Sequence, residues 1–194
     1  MDALGIANLA LRRLGERAIA SFDTDSTAAR VCHTFFQPAI DEVTSEYEWP
    51  FATTRAALVL DEVHDNLTEY SHAFTIPSDA LRIIETIPKT QYEIEGTHLY
   101  SDEDALTAVY LRSIVELAGT PEVPTLITGR YPPKFYLACS LRLASHINIP
   151  LNGKLSTINA LQQEYLFVLT QAKNHAAMET PGLDEEATLW EDIQ

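Results

Sequence analysis

Carboxylates are the side chains of this sequence best suited to chemistry, and they occur in three clusters. These are Asp41, Glu42, Glu46 and Glu48; Asp61, Glu62 and Asp65; and Asp102, Glu103 and Asp104. Glu42 and Glu46 are four residues apart, so on a helix they would share a face and could bind Mg²⁺ or exchange protons with a substrate. Acidic runs are usually solvated surface, and no basic or glycine-rich motif accompanies these. We therefore predict no catalytic residue and no metal site among them.

Histidines offer a second possible chemistry, metal binding. The six are His33, His64, His72, His98, His146 and His175, and no two are three or four residues apart, the spacing that a helical metal site uses. His72 and His98 fall in neighbouring predicted strands and could approach each other. Partly exposed histidines on a sheet are the more common arrangement, so the histidines also predict no metal site.

Cysteine chemistry is not indicated either. Cys32 and Cys139 are far apart and neither belongs to a C-x-x-C pair. Cys32 is followed by His33, but neighbouring residues on a helix point about 100° apart, so the imidazole would not face the thiol. Both cysteines are predicted to be buried and reduced.

Signatures of nucleotide and cofactor binding are missing as well. The sequence has no glycine-rich phosphate loop, no G-x-S-x-G elbow and no H-E-x-x-H motif. It contains only seven glycines, which leaves little material for a loop that wraps a phosphate. We expect a protein that is not an enzyme and carries no cofactor.

The periodicity of apolar residues predicts the elements that position these groups. Spacings of three and four residues predict helices at residues 2–14, 26–47, 134–148 and 154–177. Short β-branched and aromatic segments between turn signals predict an antiparallel β insertion at 55–114, with a hairpin over 92–100 that turns near Gly96. Four prolines and two glycines predict a loop at 118–133. The expected fold is mainly α, a helical bundle with an inserted small antiparallel β region (α+β).

Two local features refine this picture. Pro38 lies inside the second helical pattern and should kink or divide that helix, whereas Trp49 and Phe51 end it and should fold back onto the core. Residues 1–180 then form a single domain, and residues 181–194 an extended acidic C-terminal tail. The tail carries four isolated apolar residues, Leu183, Leu189, Trp190 and Ile193. They are candidates for docking to a partner, with Trp190 as the anchor; a disordered end or a tail folded onto its own domain is the alternative.

The charge of the chain limits its possible partners. Its net charge is −15 and its thirteen basic residues are scattered, so sequence-specific binding to DNA is not expected. An acidic wall past which DNA slides is compatible with this charge, and so is simple solubility. No apolar run is long enough to cross a membrane, and the N-terminus lacks the order of a secretory signal. We expect a protein of a cytoplasm, or of a particle assembled there, without a membrane partner.

The order of these features resembles the tail tubular protein A family of phage adaptor proteins. The similarity covers about residues 1–180: the opening run from Ala3 to Glu16, a long helix closing on Glu48-Trp-Pro-Phe-Ala52, the segments 70–82 and 92–96, a helix ending at Ile149-Pro150, and a final long helix. It includes no catalytic signature. The family joins the portal vertex to the tail in short-tailed phages.

The resemblance implies a structural role in the neck or tail of a virion. Family members form a homo-oligomeric ring, commonly of twelve copies, beneath the portal protein. Their inserted β part contacts the next tail or nozzle protein, and DNA passes through the central channel. Three alternatives remain open: a small acidic metal-dependent enzyme, a non-phage cellular scaffold protein, and another component of the phage neck.

Overall fold

The structure, a computed structural model, describes residues 1–62, 69–152 and 155–179. Its helices are α1 (Ala3–Arg13), α2 (Thr27–Ser45), α3 (Pro133–Asn152) and α4 (Leu155–Glu179). The strands are β1 (Thr53–Ala57), β2 (Val59–Leu60), β3 (His72–Thr75), β4 (Ala80–Ile87), β5 (Glu93–Glu95), β6 (His98–Ser101), β7 (Thr107–Arg112), β8 (Val115–Ala118) and β9 (Val123–Leu126).

The strands form three antiparallel sheets. One has the order β1-β7-β4, the second β2-β3-β6-β5, and the third is the hairpin β8-β9. The predicted hairpin over 92–100 is confirmed: β5 and β6 pair, and Gly96 has φ +58°, a conformation that glycine adopts without steric cost.

The predicted fold class is wrong in its balance of helix and strand. Helices account for 43% of the described residues and strands for 24%, so the protein is an α+β mix and not mainly a helical bundle. Strands run from Thr53 to Leu126, beyond the predicted insertion at 55–114. The pairing of β1 with β7 joins segments that are far apart in the chain, and local periodicity carries no information about such contacts.

The β8-β9 hairpin corrects a second prediction, the loop at 118–133. Leu117 lies opposite Pro124 in its register, and Ala118 lies opposite Val123. Proline cannot donate a backbone hydrogen bond, but it is tolerated in an edge strand, and both strands of a two-stranded sheet are edges. The prolines therefore indicated a loop where the chain forms a hairpin.

Residue types at the helix ends explain where α1 and α2 begin. The Asp2 carboxylate accepts a hydrogen bond from Gly5 N at 2.9 Å, and the Ser26 hydroxyl accepts one from Ala29 N at 3.1 Å. Gly15, at φ +79°, follows α1 and lets its final turn close. Pro38 does not divide α2, which is continuous from Thr27 to Ser45, and α3 continues through Pro150 instead of ending at 148.

The larger of two apolar cores lies among the helices. α3 is central, because it packs against α1, α2 and α4. Trp49 is fully buried, and its ring centroid lies 5.1 Å from that of Phe135 on α3 and 5.6 Å from that of Phe51. Its indole nitrogen donates to Val43 O at 3.1 Å. The prediction that Trp49 and Phe51 fold back onto the core is therefore confirmed.

A smaller core lies between the three-stranded and the four-stranded sheet. Its buried residues are Leu58, Phe74, Leu99, Leu106, Ala108 and Tyr110. Strand β7 serves both cores: Ala108 and Tyr110 point into the smaller one, whereas Leu111 belongs to the larger one. This alternation fixes the sheets against the helices, because a slip of one residue would reverse the two faces.

Candidate docking surfaces

Helix α4 lies at an edge of the fold, since α3 is the one described element against which it packs closely. The apolar spacing that predicts this helix, at residues 154–177, places one stripe along it: Leu155, Ile158, Leu161, Tyr165, Val168, Ala172 and His175. The structure buries Leu161, Tyr165, Val168 and Ala172 of this stripe, but not Leu155, Ile158 or His175. Leu169 and Ala176 are also buried. The first turn is thus unburied, and Leu155 is 71% exposed.

Ionic contacts fasten α3 and α4 to the first two helices. Glu42 on α2 pairs with Arg142 on α3 and lies 2.9 Å from His146 Nε2. The Arg142 guanidinium also lies 5.5 Å from the centre of the Tyr165 ring on α4, within the range of a cation–π contact. Lys173 of α4 donates to Glu46 at 3.3 Å. The carboxylates that might have formed a metal site are therefore committed to holding the helices together.

The electrostatics of this cluster agree with a structural role. Partial burial acts to raise the pKa of Glu42, but hydrogen bonds and positive charge from Arg142 and His146 outweigh it, so the pKa lies below its usual value. The hydrogen bond to Glu42 raises the pKa of Arg142. Both groups are therefore held in their charged forms, which suits an ion pair and not a proton-transferring acid or base.

Among the side chains that the structure describes, the outward side of α4 is nearly free of charge. Its exposed residues are Leu155, Ser156, Asn159, Ala160, Gln163, Glu164, Leu166, Phe167, Thr170, Asn174, His175, Ala177 and Met178. Glu164 is the one permanent charge among them, and it pairs with Arg13. Phe167 is 65% exposed and Met178 85% exposed. We call this surface the α4 face; exposed large apolar residues without charged neighbours are typical of the centre of a protein interface.

An open groove of about 680 Å³ lies elsewhere on the molecule. It is lined by residues 1–4, 21–23, 118–121 and 123–129, with Tyr131 and Tyr136, and so brings the start of α1, the β8-β9 hairpin and the start of α3 together. Two carboxylates belong to it: Asp2, which caps α1, and Asp23, whose pKa is lowered by the hydrogen bond from Ser21. We call this the N-terminal groove. It shares no residue with the α4 face.

A partly buried carboxylate, Asp41, lies beside the β8-β9 hairpin. Ser113 donates a hydrogen bond of 2.6 Å to it, and burial raises its pKa despite this bond. A smaller cavity of about 450 Å³ adjoins it, lined by His33, Gln37 and Leu117 among others. No second ionisable group is hydrogen-bonded to Asp41 in the described structure, so the arrangement does not amount to an acid–base pair.

The histidines that might have approached each other are separated by the register of the sheet. His72 lies opposite Ser101 and His98 opposite Thr75, at the two ends of the β3-β6 pairing. Each is near a different carboxylate: His98 Nε2 is 3.2 Å from Asp61, and His72 Nε2 is 3.9 Å from Asp104. Within the described residues, no group of three or more His, Cys, Asp and Glu side chains could hold a metal ion.

The cysteine prediction is confirmed. Cys32 and Cys139 are both free and fully buried. Burial raises the pKa of Cys32 to about 11 and that of Cys139 well above its usual value. Since the thiolate is the reactive form, neither residue is suited to be a nucleophile at neutral pH.

The four docking candidates of the tail, Leu183, Leu189, Trp190 and Ile193, lie outside the described residues, as do His64 and Asp65. The wide apolar surface of the fourth helix was expected to supply subunit contacts, but its predicted stripe left out Leu166 and Phe167 of the α4 face, and the N-terminal groove was not predicted. A signal for the α4 face was present in the run Leu166-Phe-Val-Leu169, since four consecutive apolar residues cannot all point to one side of a helix. The groove joins three distant segments and had no such local signal.

Comparison with known proteins adds no relative. Neither a family model nor a curated protein matches the chain. Among the described residues, none of the helices combines the length and the apolar character needed to cross a membrane.

Proposed function

We propose that this protein is a head-to-tail connector, or adaptor, of a tailed bacteriophage, which forms a ring between the portal and the tail through which DNA passes. The observation that carries the proposal is the presence of two separate candidate docking surfaces on one small chain: the α4 face, which exposes large apolar side chains, and the open N-terminal groove. A ring requires two different surfaces on every subunit. The order of elements, a helix pair before the sheets and a helix pair after them, also suits the resemblance to the tail tubular protein A family.

The charge of the chain is consistent with this role. With a net charge of −15, a ring of copies would present an acidic channel that does not retain DNA. Glu42 and Glu46 are held in ion pairs, Asp41 accepts a hydrogen bond from Ser113, and both cysteines are buried, so we propose no enzymatic activity. The connector would act mechanically, through its contacts with copies of itself, the portal and the next tail or nozzle protein.

Electron microscopy of the purified protein, mixed with the portal protein encoded near it, tests the proposal. We expect a symmetric collar of added density at one end of the portal. Phe167→Asp on the α4 face should abolish the collar, whereas Val59→Asp should leave it intact, because Val59 is equally exposed but belongs to neither surface. Bare portals beside free protein, at both low and moderate salt, would reject the connector function in favour of another neck position or a cellular scaffold.

The C-terminal segment offers a second test of the same function. We propose that residues 183–194, with Trp190 as anchor, contribute to attachment to the portal or to a neighbouring subunit. A weak contact repeated around a ring adds strongly to the total affinity. Deletion of 183–194 should leave the melting temperature nearly unchanged and weaken attachment. Attachment of the truncated protein at full strength would remove the segment from the proposal.

A further inference from the structure

We propose that the α4 face of one copy docks in the N-terminal groove of the next, so that the protein assembles head to tail with itself. The inference rests on the proposed connector function, for which it names the contact between subunits. Its partner is a second copy of this chain.

The shapes of the two surfaces are complementary. The α4 face is the convex side of a helix that packs on one neighbour, and the two large apolar side chains near its middle, Leu166 and Phe167, are 52% and 65% exposed. The groove is concave, and its volume of about 680 Å³ lies within the range of about 300–1,000 Å³ typical of sites that enclose a ligand. It therefore has room for these two side chains together.

The charges of the two surfaces are also compatible. The groove contains two carboxylates, Asp2 and Asp23, against one cation, the amine of Met1, so its net negative charge disfavours contact with most of the surface of another copy of this acidic chain. The α4 face is an exception, because Glu164, the one exposed acid among its described side chains, pairs with Arg13. The amides of Gln163 and Asn174 on the same face can donate hydrogen bonds to carboxylates.

The separation of the two surfaces determines the kind of assembly. Because the groove includes no residue of α4, one copy can use both surfaces at once, each with a different neighbour. A contact between two different surfaces leaves a free surface at each end, so it continues until a ring closes or a filament grows. A contact between two α4 faces would instead stop at a dimer.

Paired variants distinguish these possibilities in the isolated full-length protein. Phe167→Asp places a charge on the α4 face, and Thr128→Arg fills the groove at an exposed position. Sedimentation velocity should show that the wild type self-associates, that each variant alone associates at least about 10-fold more weakly, and that Val59→Asp behaves as the wild type. Circular dichroism and thermal melting of each variant confirm that it is folded.

The decisive measurement is an equimolar mixture of the two variants. Phe167→Asp keeps an intact groove and Thr128→Arg keeps an intact α4 face, so the mixture should form a one-to-one heterodimer and nothing larger. A mixture that stays monomeric would overturn the inference, and so would a wild type that is monomeric at millimolar concentration. If Phe167→Asp loses self-association and Thr128→Arg keeps it, the contact is between two α4 faces instead.

Two further outcomes distinguish this contact from a contact made by residues 183–194 and from the connector function itself. If deletion of residues 183–194 abolishes self-association while both surfaces are intact, that segment and not the α4 face occupies the groove, and the inference fails. The portal experiment gives an independent readout. A heterodimer without a collar on the portal would support the contact and reject the connector function. A collar built from copies that never associate in the absence of the portal would support the connector function and reject the contact.

Discussion

Replacement of Trp49 by phenylalanine should weaken the packing between the end of α2 and α3, and so lower the free energy of unfolding by a predictable amount. Trp49 is fully buried, stacks on Phe51, meets Phe135 edge to face, and donates its indole hydrogen to Val43 O. Trp49→Phe keeps an aromatic ring at the site but removes the donor and part of the ring system. The Val43 carbonyl keeps a second hydrogen bond, from Glu46 N at 3.3 Å, so it is not left unpaired.

Three contributions make up the expected loss of unfolding free energy. The lost hydrogen bond contributes about 1 kcal/mol. About 40 Å² less buried apolar surface contributes about 1 kcal/mol. A residual cavity of up to about 40 Å³ adds up to about 1 kcal/mol, depending on how far the neighbouring rings close over it. The sum is about 2–3 kcal/mol.

Urea unfolding, followed by far-ultraviolet circular dichroism at low protein concentration, measures this loss. The midpoint should fall while the dependence on urea stays the same, because the exposed surface on unfolding hardly changes. Tyr47→Phe is the matched control: its ring, 5.2 Å from that of Trp49, is retained, and the expected loss is about 0.5 kcal/mol or less. A loss under about 1 kcal/mol for Trp49→Phe, or an equal loss in the control, would refute the reasoning.

Three further variants test other parts of the fold. Glu42→Gln should lower the unfolding free energy by about 0.5–1 kcal/mol at pH 7, because its pair with Arg142 is partly exposed. Since the folded state lowers the pKa of Glu42, this contribution is present above the unfolded pKa and is lost as the pH falls through the folded pKa. Urea unfolding at pH 7 and pH 3 should therefore show that the difference in unfolding free energy between wild type and variant vanishes in acid. Asp41→Asn should act in the opposite sense. Burial raises the pKa of Asp41, so ionisation of this carboxyl costs stability as the pH rises through the folded pKa. The variant still accepts the hydrogen bond from Ser113, and it should melt at a higher temperature than the wild type at pH 8 and at the same temperature at pH 3. Gly96→Ala should cost about 1 kcal/mol in the same unfolding assay, because its φ of +58° strains any residue with a Cβ; no loss would contradict the described turn.

The parts of the fold that the sequence predicted correctly are those determined by neighbouring residues. All four helices are where the apolar spacing placed them, to within a few residues, because a helix needs partners only three and four positions away. The turn at Gly96 was predicted for the same reason, since its conformation depends on the glycine itself. The closure of α2 by Trp49 followed from the size of the indole and the proline after it.

The parts that were missed depend on contacts between distant segments. The smaller core joins Leu58, Phe74 and Leu106, which share no local pattern. The β8-β9 hairpin was missed because Pro121 and Pro124 are typical of loops. Only the pairing of Pro124 with Leu117 shows that a proline lies in an edge strand here. The N-terminal groove needs α1, the hairpin and α3 to be assembled before it exists.

In the proposed assembly, net charge and the α4 face together determine which surfaces of two copies can meet. A chain of charge −15 is kept apart from its own copies over most of its surface, because like charges repel on approach. A surface free of net charge removes that repulsion at one place, and exposed Phe167 and Leu166 make contact there favourable. In the proposed assembly, the acidity of the rest of the chain thus directs self-association to the α4 face and suppresses other contacts. Higher salt should therefore allow more nonspecific contacts between copies, because it screens the repulsion over the rest of the surface. The affinity of the α4 contact should change less, because that contact is apolar.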